Sequence, residues 1–405
     1  MSSQQAPRGP LSGVRVIDLT TVMFGPYCTQ IMGEMGADIV KVEGPEGDIS
    51  RQVGPSRHPG MSAAFLIKGR NKRSVVLDLK QEAAREALYK LCETADVFIH
   101  NMRPKAAARL GIAYEDIEKA RPDIVYCNAI GFGPEGPYAD KPAYDDLIQG
   151  LSGLAALTGM VTGEPRFAPS VVADKTSGLF ALYSICMGLF HRERTGEGQR
   201  IDVPMFESFA SFVINEHMQE RFFEPPKGEA GYVRLLSPYR RPHKTADGYI
   251  CMMPYSTKHW VAFFNLAGRP DLAEDERFQT MPGRTQNIGE LYEHLANIMP
   301  SRTTADWLET LSAADVPSAP MNTPEDLFTD PHLTAVGMFP LSEHPTEGKV
   351  RHIKVPVTFS KTPGGLTRHA PRLGEHSLEL LREAGLTEDE INSLMEARAT
   401  SQAEA

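Results

Sequence analysis

The sequence predicts an α/β protein with a doubly wound parallel sheet in a large domain and a second, smaller α+β domain. Strand-like and helix-like segments alternate over the first 130 residues, which is typical of β-α-β units in an open parallel sheet. The alternation stops near residue 224, at the Pro- and Gly-containing stretch "EPPKGEAG". The length of 405 residues also exceeds what one hydrophobic core usually holds. Two domains are therefore expected.

The predicted elements of the large domain are short apolar strands with helical segments between them. Helical spacing is found at 26–37 and 81–95, and a turn at 195–199 precedes a long amphipathic helix at about 205–223. The first part of this domain is expected to span 1–224. Its predicted strands are at 14–19, 38–43, 74–79, 96–101, 123–130 and 200–205.

The second domain is predicted at 230–325. It combines one strand, "DGYICMM", with helical segments at 257–267, 286–299 and 303–313. Residues 326–405 are expected to return to the large domain and to end in helices. Thr387 and Glu390 have the spacing of a capping box, which predicts the start of the last helix.

Composition and charge exclude several classes of protein. The formal net charge is −10, so the chain lacks the basic footprint of a nucleic-acid-binding protein. Five cysteines without a CxxC pair argue against a disulfide framework or a structural zinc site, and they favour a reducing, cytoplasmic location. The polar start has no signal-peptide pattern, and the longest apolar run, at 179–190, is too short to span a bilayer.

The common cofactor and metal motifs are not found. "GFGPEG" at 131–136 fits the dinucleotide-binding pattern GxGxxG, but Pro134 and Pro137 favour a tight loop over the helix that pyrophosphate requires. No phosphate loop, GxSxG elbow or HExxH motif is present, and the histidines do not have metal-ligand spacing. Neither a prosthetic group nor a metal is expected.

Basic residues are concentrated in two segments of this acidic chain. One interpretation is a solvated surface; the other is a binding site for a phosphate-rich small molecule at the carboxyl ends of parallel strands. The residues concerned are Lys68, Arg70, Lys72, Arg73 and Lys80 in the first segment, and Arg103, Lys105 and Arg109 in the second.

Asp174 lies in "ADKTSG", directly before an apolar helical run. Asp is a preferred N-cap, and this is the simpler interpretation. Thr176 or Ser177 could cap the helix instead, which would leave the Asp174 carboxylate free. The positive end of the helix dipole should then keep it ionised, as nucleophilic catalysis by a carboxylate requires.

Eight stretches spread over nearly the whole chain give it a family resemblance. They are "LSGVRVIDLTTVMFGPYCTQIMGEMGADIVKVEGPEGD", "NKRSVVLDLK", "HNMRPKAAARLGI", "GFGPEGPYADKPAYD", "VADKTSG", "HRERTGEGQRIDVPMFES", "PYRRPHKTADGYI" and "LGEHSLELL". In these stretches and their order the chain resembles the class III CoA-transferases of the CaiB/BaiF type. The resemblance implies a Rossmann-like large domain, a small domain, and two ring-like chains interlocked as a homodimer.

The resemblance also implies the chemistry. CoA would move from an acyl-CoA to a carboxylic acid through an aspartyl-CoA thioester on Asp174, with acyl-CoA as substrate and no prosthetic group. The adenine would lie near Leu77–Lys80, and the phosphates near Asn101–Arg103 and Arg109. The residues carried over as CoA or acyl contacts are Met23, Phe24, Leu77, Asp78, Leu79, Lys80, Asn101, Met102, Arg103, Arg109 and Asp145.

Three departures from formyl-CoA transferase stand out. That enzyme has Gln-Ala at the position of Met23-Phe24, so a more apolar acyl pocket is expected here. It has Arg where this chain has Gly44, and its glycine-rich loop has no counterpart at 224–245. Substrate gating is therefore expected to differ from that of formyl-CoA transferase.

Alternatives remain for activity and substrate. An α-methylacyl-CoA racemase shares the resemblance but pairs its Asp with a His-Asp step, and this chain has Tyr144-Asp145 there. Tyr is a poor base near neutral pH. The third alternative is an inactive CoA-binding homologue. Arg240, Arg241 and His243 could bind a second carboxylate or form a solvated turn, and Lys175 could support the Asp174 charge or face solvent.

Overall fold

The computed structural model describes residues 9–403, which form two compact units. The first unit contains the described residues up to Ser152, then Ala168–Ser211, and the chain from His332 onward. The second contains Gly153–Phe167 and Phe212–Pro331. Gly153–Phe167 lies shortly before Asp174 in the chain and yet belongs to the second unit, an excursion that no pattern in the sequence indicates.

A six-stranded parallel sheet forms the centre of the first unit. Its strand order is β3-β2-β1-β4-β5-β6, the order of a doubly wound sheet. Both faces are covered, and apolar residues such as Val16 and Ile17 are fully buried. The predicted parallel α/β sheet is confirmed. Its strands are β1 (Arg15–Asp18), β2 (Asp38–Glu43), β3 (Lys72–Val76), β4 (Val97–His100), β5 (Val125–Ile130) and β6 (Gln199–Pro204).

Helices connect the strands and complete both units. The helices are α1 (Phe24–Glu34), α2 (Ala63–Gly69), α3 (Glu82–Cys92), α4 (Pro104–Arg109), α5 (Tyr114–Ala120), α6 (Asp145–Leu151), α7 (Leu154–Thr162), α8 (Val172–Thr195), α9 (Met205–Ile214), α10 (Thr257–Leu266), α11 (Pro270–Ala273), α12 (Met281–Gln286), α13 (Ile288–Ile298), α14 (Thr304–Ala313), α15 (Pro331–Ala335), α16 (Ser377–Glu383) and α17 (Glu388–Glu396).

The helix predicted at 205–223 is shorter than expected, because α9 ends at Ile214. The chain then turns at His217, whose carbonyl accepts the Gly231 N–H at 2.8 Å and whose ring accepts the Tyr232 N–H at 3.2 Å. These bonds to a later segment replace the continuation of the helix. The amphipathic pattern continues past the true end of α9 and could not reveal this.

The last helix begins as the sequence predicts. Thr387 Oγ1 accepts the Glu390 N–H at 3.3 Å, and the Glu390 carboxylate accepts the Thr387 N–H at 2.6 Å. This capping box is confirmed. Ile391 and Leu394 of α17 then pack with α3 and α16 in the core beside the sheet.

The second unit combines a small antiparallel sheet with helices. Its strands are β7 (His243–Lys244), β8 (Tyr249–Met252) and β9 (Ser318–Pro320). Its aromatic core includes Trp260, Phe263 and Trp307. In the first unit, β10 (Leu341–His344) pairs with β11 (Gly348–Arg351) as a hairpin.

Helix α8 contains the apolar run noted in the sequence. It has 24 residues and ends in a basic turn with Arg192 and Arg194. Across residues 9–403, none of the helices combines the length and the apolar character needed to cross a bilayer.

Candidate active site

A cavity of about 400 Å³ opens at the carboxyl ends of strands β1, β4, β5 and β6. The order of the sheet reverses between β1 and β4, and ligands of doubly wound folds bind at this switch point. The cavity lies within the first unit. Its wall includes Thr21, Val22, Met23, Phe24, Asn101, Met102, Arg103, Lys141, Tyr144, Asp174 and Met205.

Asp174 lies in the first turn of α8 and in the wall of this cavity. Its side chain does not serve as the N-cap, because the helix starts earlier, at Val172, and Val171 offers no side-chain cap. Thr176 and Ser177 lie inside the helix, so the prediction that one of them caps it is wrong. The residue is only 9% exposed.

Asp145 supplies the missing cap from another helix. Its Oδ1 accepts the backbone N–H of Asp174 at 3.0 Å, one of the free donors of the first turn of α8. Its Oδ2 accepts Gln149 Nε2 at 2.6 Å, and the side-chain oxygen of Gln149, Oε1, accepts the Ala168 N–H at 2.8 Å. Asp145 thus fixes the backbone at Asp174, a role that sequence spacing could not reveal.

Burial and the neighbouring carboxylate of Asp145 raise the pKa of Asp174 from 3.8 to about 7, against an opposing effect of Lys68. The sequence prediction of a firmly ionised carboxylate is therefore wrong. A helix N-terminus stabilises an anion by about 0.3–1 kcal/mol, which is less than one pKa unit. That effect is too small to offset the burial of Asp174.

Side chains from other parts of the first unit hold the backbone of the loop between β1 and α1. Asp18 accepts the Thr20 N–H at 2.9 Å, and Lys41 donates to the Thr20 carbonyl at 2.9 Å. The Asn101 amide bonds both backbone groups of Thr21, at 3.0 and 2.8 Å. Asn101 thus lies in the cavity wall, where its polar atoms hold this loop, and its contact with CoA phosphates stays a prediction.

Helices α1 and α8 approach each other closely at Gly178. A Cβ atom at this position would lie 2.8 Å from the Phe24 carbonyl oxygen, which is too close for any larger residue without displacement. Phe24 and Asp174, in the first turns of these helices, both line the cavity. No side chain caps α1 at Met23, so the N–H groups of its first turn point their positive ends toward this region.

The basic run before and within β3 is not the predicted phosphate-binding patch. Lys72 and Asp18 are fully buried and lie 3.0 Å apart. The other ion pairs are Arg70–Glu34, with Nε 2.6 Å from the carboxylate, and Arg73 with Asp38, Glu379 and Glu383, each at 2.7 Å. Lys68 is also buried, and only Lys80 of this run is exposed.

The predicted adenine segment follows β3. The side chains of Leu77 and Leu79 are buried in the hydrophobic core, so only backbone atoms of these two residues are left for a ligand. Asp78 Oδ2 accepts Gln81 Nε2 at 3.2 Å. Lys80 is exposed.

The second basic segment lies at the surface, on and before α4. Arg103 and Met102 line the cavity together with Lys141. Lys105 pairs with Asp140 at 2.6 Å. Arg109 is exposed at the end of α4, and within the described chain it lies outside the cavity wall.

In the second unit, Arg240, Arg241 and His243 line a separate cavity of about 220 Å³. Burial and the nearby Arg241 lower the pKa of His243 to about 4, so its ring is neutral near pH 7. The two arginines are exposed. Lys175, the neighbour of Asp174, donates to Ser170 Oγ at 2.8 Å.

Comparisons with known proteins identify the family of the chain. The family model "CoA-transferase family III" matches residues 11–377. The succinate–glutarate CoA-transferase of Agrobacterium fabrum is 33% identical over 391 residues, which cover 95% of this chain and 98% of that protein. The succinyl-CoA:mesaconate CoA-transferase of Haloarcula hispanica is 34% identical over 394 residues, covering 93% and 97%.

A solved structure extends the comparison to the fold. A CaiB/BaiF family protein from Brucella suis superposes with a TM-score of 0.79 at 32% sequence identity, covering 93% of this chain and all of that one. The chain therefore belongs to CoA-transferase family III and is a CoA-transferase.

Proposed function

We propose that Asp174 is the nucleophile that carries CoA from an acyl-CoA donor to a carboxylic acid acceptor. The observation that supports this most directly is its position. Asp174 is the carboxylate at the start of α8 that lines the cavity at the switch point of the sheet. Ligands of doubly wound folds bind in that place.

The proposed reaction has two mirror-image halves. The Asp174 carboxylate attacks the thioester carbonyl of the donor, which gives a mixed anhydride and CoA thiolate. The thiolate then attacks the Asp174 carbonyl of the anhydride, which releases the donor acid and leaves an aspartyl-CoA thioester. The acceptor carboxylate repeats both steps in reverse, so the acceptor leaves as its CoA thioester and Asp174 is restored.

The surroundings of Asp174 fit this role. A carboxylate is a weak nucleophile, so its position and desolvation must supply much of the rate. Asp145 fixes the backbone at Asp174 through the bond of 3.0 Å. The uncapped first turn of α1 is a source of N–H donors for the oxyanions that form during each attack. Arg103 and Lys141 offer positive charge to CoA phosphates or to a substrate carboxylate.

A trapping experiment tests the nucleophile. The protein is incubated with succinyl-CoA, treated with hydroxylamine and digested, and the modified peptide is identified by mass spectrometry. The label is expected on Asp174. Because the pKa of Asp174 is about 7 and the carboxylate is the reactive form, the initial labelling rate should rise with pH through about 7.

Asp146, an exposed residue that directly follows Asp145 in the chain, provides the matched control. Asp146→Asn should label like the wild type, whereas Asp174→Asn should not. A label on another acidic residue would remove Asp174 from the mechanism. Deuterium uptake at the α-carbon without exchange of CoA would instead indicate the racemase alternative.

We also propose that the acyl groups are dicarboxylic. One of the two relatives is named for succinate and glutarate, and the other for succinyl-CoA and mesaconate. Within the cavity that Asp174 lines, Lys141 is a candidate for the distal carboxylate. The apolar side chains of Met23 and Phe24 in the cavity wall suit the methylene chain of such a substrate.

A substrate panel tests this proposal. Succinyl-CoA and glutarate should give kcat/KM values at least about tenfold above those of butyryl-CoA and pentanoate, because a carboxylate recognised by charge is costly to omit. The variant Lys141→Met should lose this preference and retain activity with monocarboxylates. If the preference persists in the variant, Lys141 does not bind the distal carboxylate. Equal rates for both substrate classes in the wild type would refute the proposal.

The interlocked homodimer and the reducing, cytoplasmic location stay predictions. The resemblance of the sequence to class III CoA-transferases supports the dimer. The five cysteines are all free thiols, which is consistent with the location.

A further inference from the structure

Val22, in the cavity wall, has an unusual backbone conformation. Its φ is 71°, in the left-handed region that β-branched residues rarely adopt. Two ionisable side chains hold it there. Asp48 Oδ1 accepts the Val22 N–H at 3.3 Å, and Lys68 Nζ donates to the Val22 carbonyl. Unfavourable conformations of this kind persist when the surroundings fix them, and they are frequent at functional sites.

Lys68 approaches the cavity from α2. The residue is 6% exposed, so its ammonium group is largely removed from water. The charged groups that act on it are Asp48 and Asp174, which favour the ammonium, and Lys72 and Lys41, which oppose it. The charged groups that act on Asp174 are Asp145 on α6 and Lys68. Lys68 Nζ bonds Val22, and Val22 and Asp174 line the same cavity, so this ammonium group lies beside the cavity that holds the proposed nucleophile.

We propose that Lys68 is a positioning residue of the transfer reaction, which holds the Val22 peptide in place and supplies the positive charge opposite Asp174. This inference rests on the proposed role of Asp174. One side chain thereby links the shape of the β1–α1 loop to the charge of the carboxylate. The loop in turn carries Met23 and Phe24, which lie in the cavity wall.

A variant that lacks the Lys68 ammonium group is expected to change in two ways. Asp174 would keep its burial and its carboxylate neighbour but lose the opposing cation, so its protonated form would persist to higher pH. The Val22 carbonyl would also lose its donor, and the loop would be free to leave the left-handed conformation. The first effect changes the pH profile, and the second lowers the rate at every pH.

The experiment compares pH profiles of kcat/KM for succinyl-CoA with glutarate in Lys68→Met, Lys68→Gln and Lys68→Arg. In the two neutral variants the acidic limb should move to higher pH, because Lys68 favours the carboxylate form of Asp174. Relative to the wild type, kcat/KM should therefore fall more below pH 7 than above pH 8. Lys68→Arg should keep the midpoint of the wild type, since it retains both the charge and a donor.

Lys175→Met is the matched control, because Lys175 is adjacent to Asp174 in sequence and bonds to Ser170. Its profile should match that of the wild type. If Lys68→Met does not fold, Lys68→Gln decides the question in the same way. An unmoved acidic limb in a folded neutral variant that still labels on Asp174 would overturn this inference alone. Absence of the Asp174 label in the wild type would overturn the proposed function.

Discussion

Replacing Asp174 with asparagine is expected to lower the transfer rate by roughly 10⁴-fold or more while CoA binding is retained. Asparagine has nearly the same shape, but its amide cannot form the mixed anhydride or the thioester. The rate of CoA transfer from succinyl-CoA to glutarate measures the first part. Calorimetric titration with CoA measures the second. A transfer rate within tenfold of the wild type would show that another residue carries the CoA group.

The same substitution should make the protein more stable near neutral pH. The pKa of Asp174 is about 7 in the folded protein against an ordinary value of 3.8, so the folded state holds the proton between these two values. The stability linked to this proton is present below about pH 4 and is lost as the pH rises through about 7. Asparagine avoids this loss, so the gain at about pH 8 should be of the order of a few kcal/mol.

Urea unfolding at about pH 8 and pH 4 measures this gain. It should be close to zero at the lower pH, and Asp146→Asn should stay within about 0.5 kcal/mol of the wild type at both. Equal stability of Asp174→Asn and wild type at about pH 8 would mean that the burial of Asp174 carries no cost. The expected exchange of stability for activity is typical of catalytic groups placed in unfavourable surroundings.

The sheet and the position of the site could be predicted from the sequence. Apolar strands separated by helical segments predict a parallel sheet, and ligands of such sheets bind at the carboxyl ends of the strands. Asn101 and Arg103 directly follow β4, and both lie in the cavity wall. Met205 directly follows β6 and lies there too, so the same reasoning would have found it.

The ion pairs formed by the basic residues of β3 could not be predicted from the sequence. Lys72 and Arg73 look like a solvent-facing or phosphate-binding pair when only their neighbours in sequence are considered. Their partners come from distant parts of the chain, such as Asp18 on β1 and Glu379 and Glu383 on α16. A pattern along the chain does not show which charges are neutralised inside the fold.

The charged surroundings of Asp174 could not be predicted from the sequence for the same reason. Asp145 on α6 and Lys68 on α2 both affect its pKa, and neither has a sequence spacing that indicates proximity to α8. The sequence predicts that a helix begins near Asp174, and the packing of three separate elements decides the charge of its carboxylate. The motif alone therefore locates the candidate nucleophile but does not predict its pKa.

The buried ions beneath the site form a connected support for the β1–α1 loop. Lys72 bonds Asp18, and Asp18 holds Thr20; Lys41 bonds both the Thr20 carbonyl and Asp48. Asp48 in turn holds Val22. Three neighbouring strands, β1, β2 and β3, thus fix a loop of the cavity through charged side chains rather than through apolar packing. Such an arrangement is rigid only while each charge keeps its partner.

Lys72→Met is therefore expected to lower the free energy of unfolding by about 3–5 kcal/mol at neutral pH. Lys72 and Asp18 are both fully buried, with the ammonium 3.0 Å from the carboxylate and 2.6 Å from Thr29 Oγ1. Methionine fills a similar volume but leaves the Asp18 charge in the interior without this partner. Urea unfolding measures the change, and the exposed Lys90→Met should stay within about 0.5 kcal/mol of the wild type.

The pH dependence distinguishes a lost ion pair from a packing defect. Burial would raise the pKa of Asp18, but Lys72 and Lys41 outweigh it and lower the pKa to about 2. In the wild type the stability contributed by Asp18 is present above about pH 4 and is lost as the pH falls through about 2.

In the variant without Lys72, the effect of burial is no longer outweighed by two cations. The pKa of Asp18 therefore rises, and Asp18 can take a proton at a higher pH. The deficit of Lys72→Met should therefore shrink as the pH falls toward 4, and adding Asp18→Asn should recover part of it at neutral pH. A deficit that is the same at pH 7 and 4, and unchanged by Asp18→Asn, would assign the loss to packing instead.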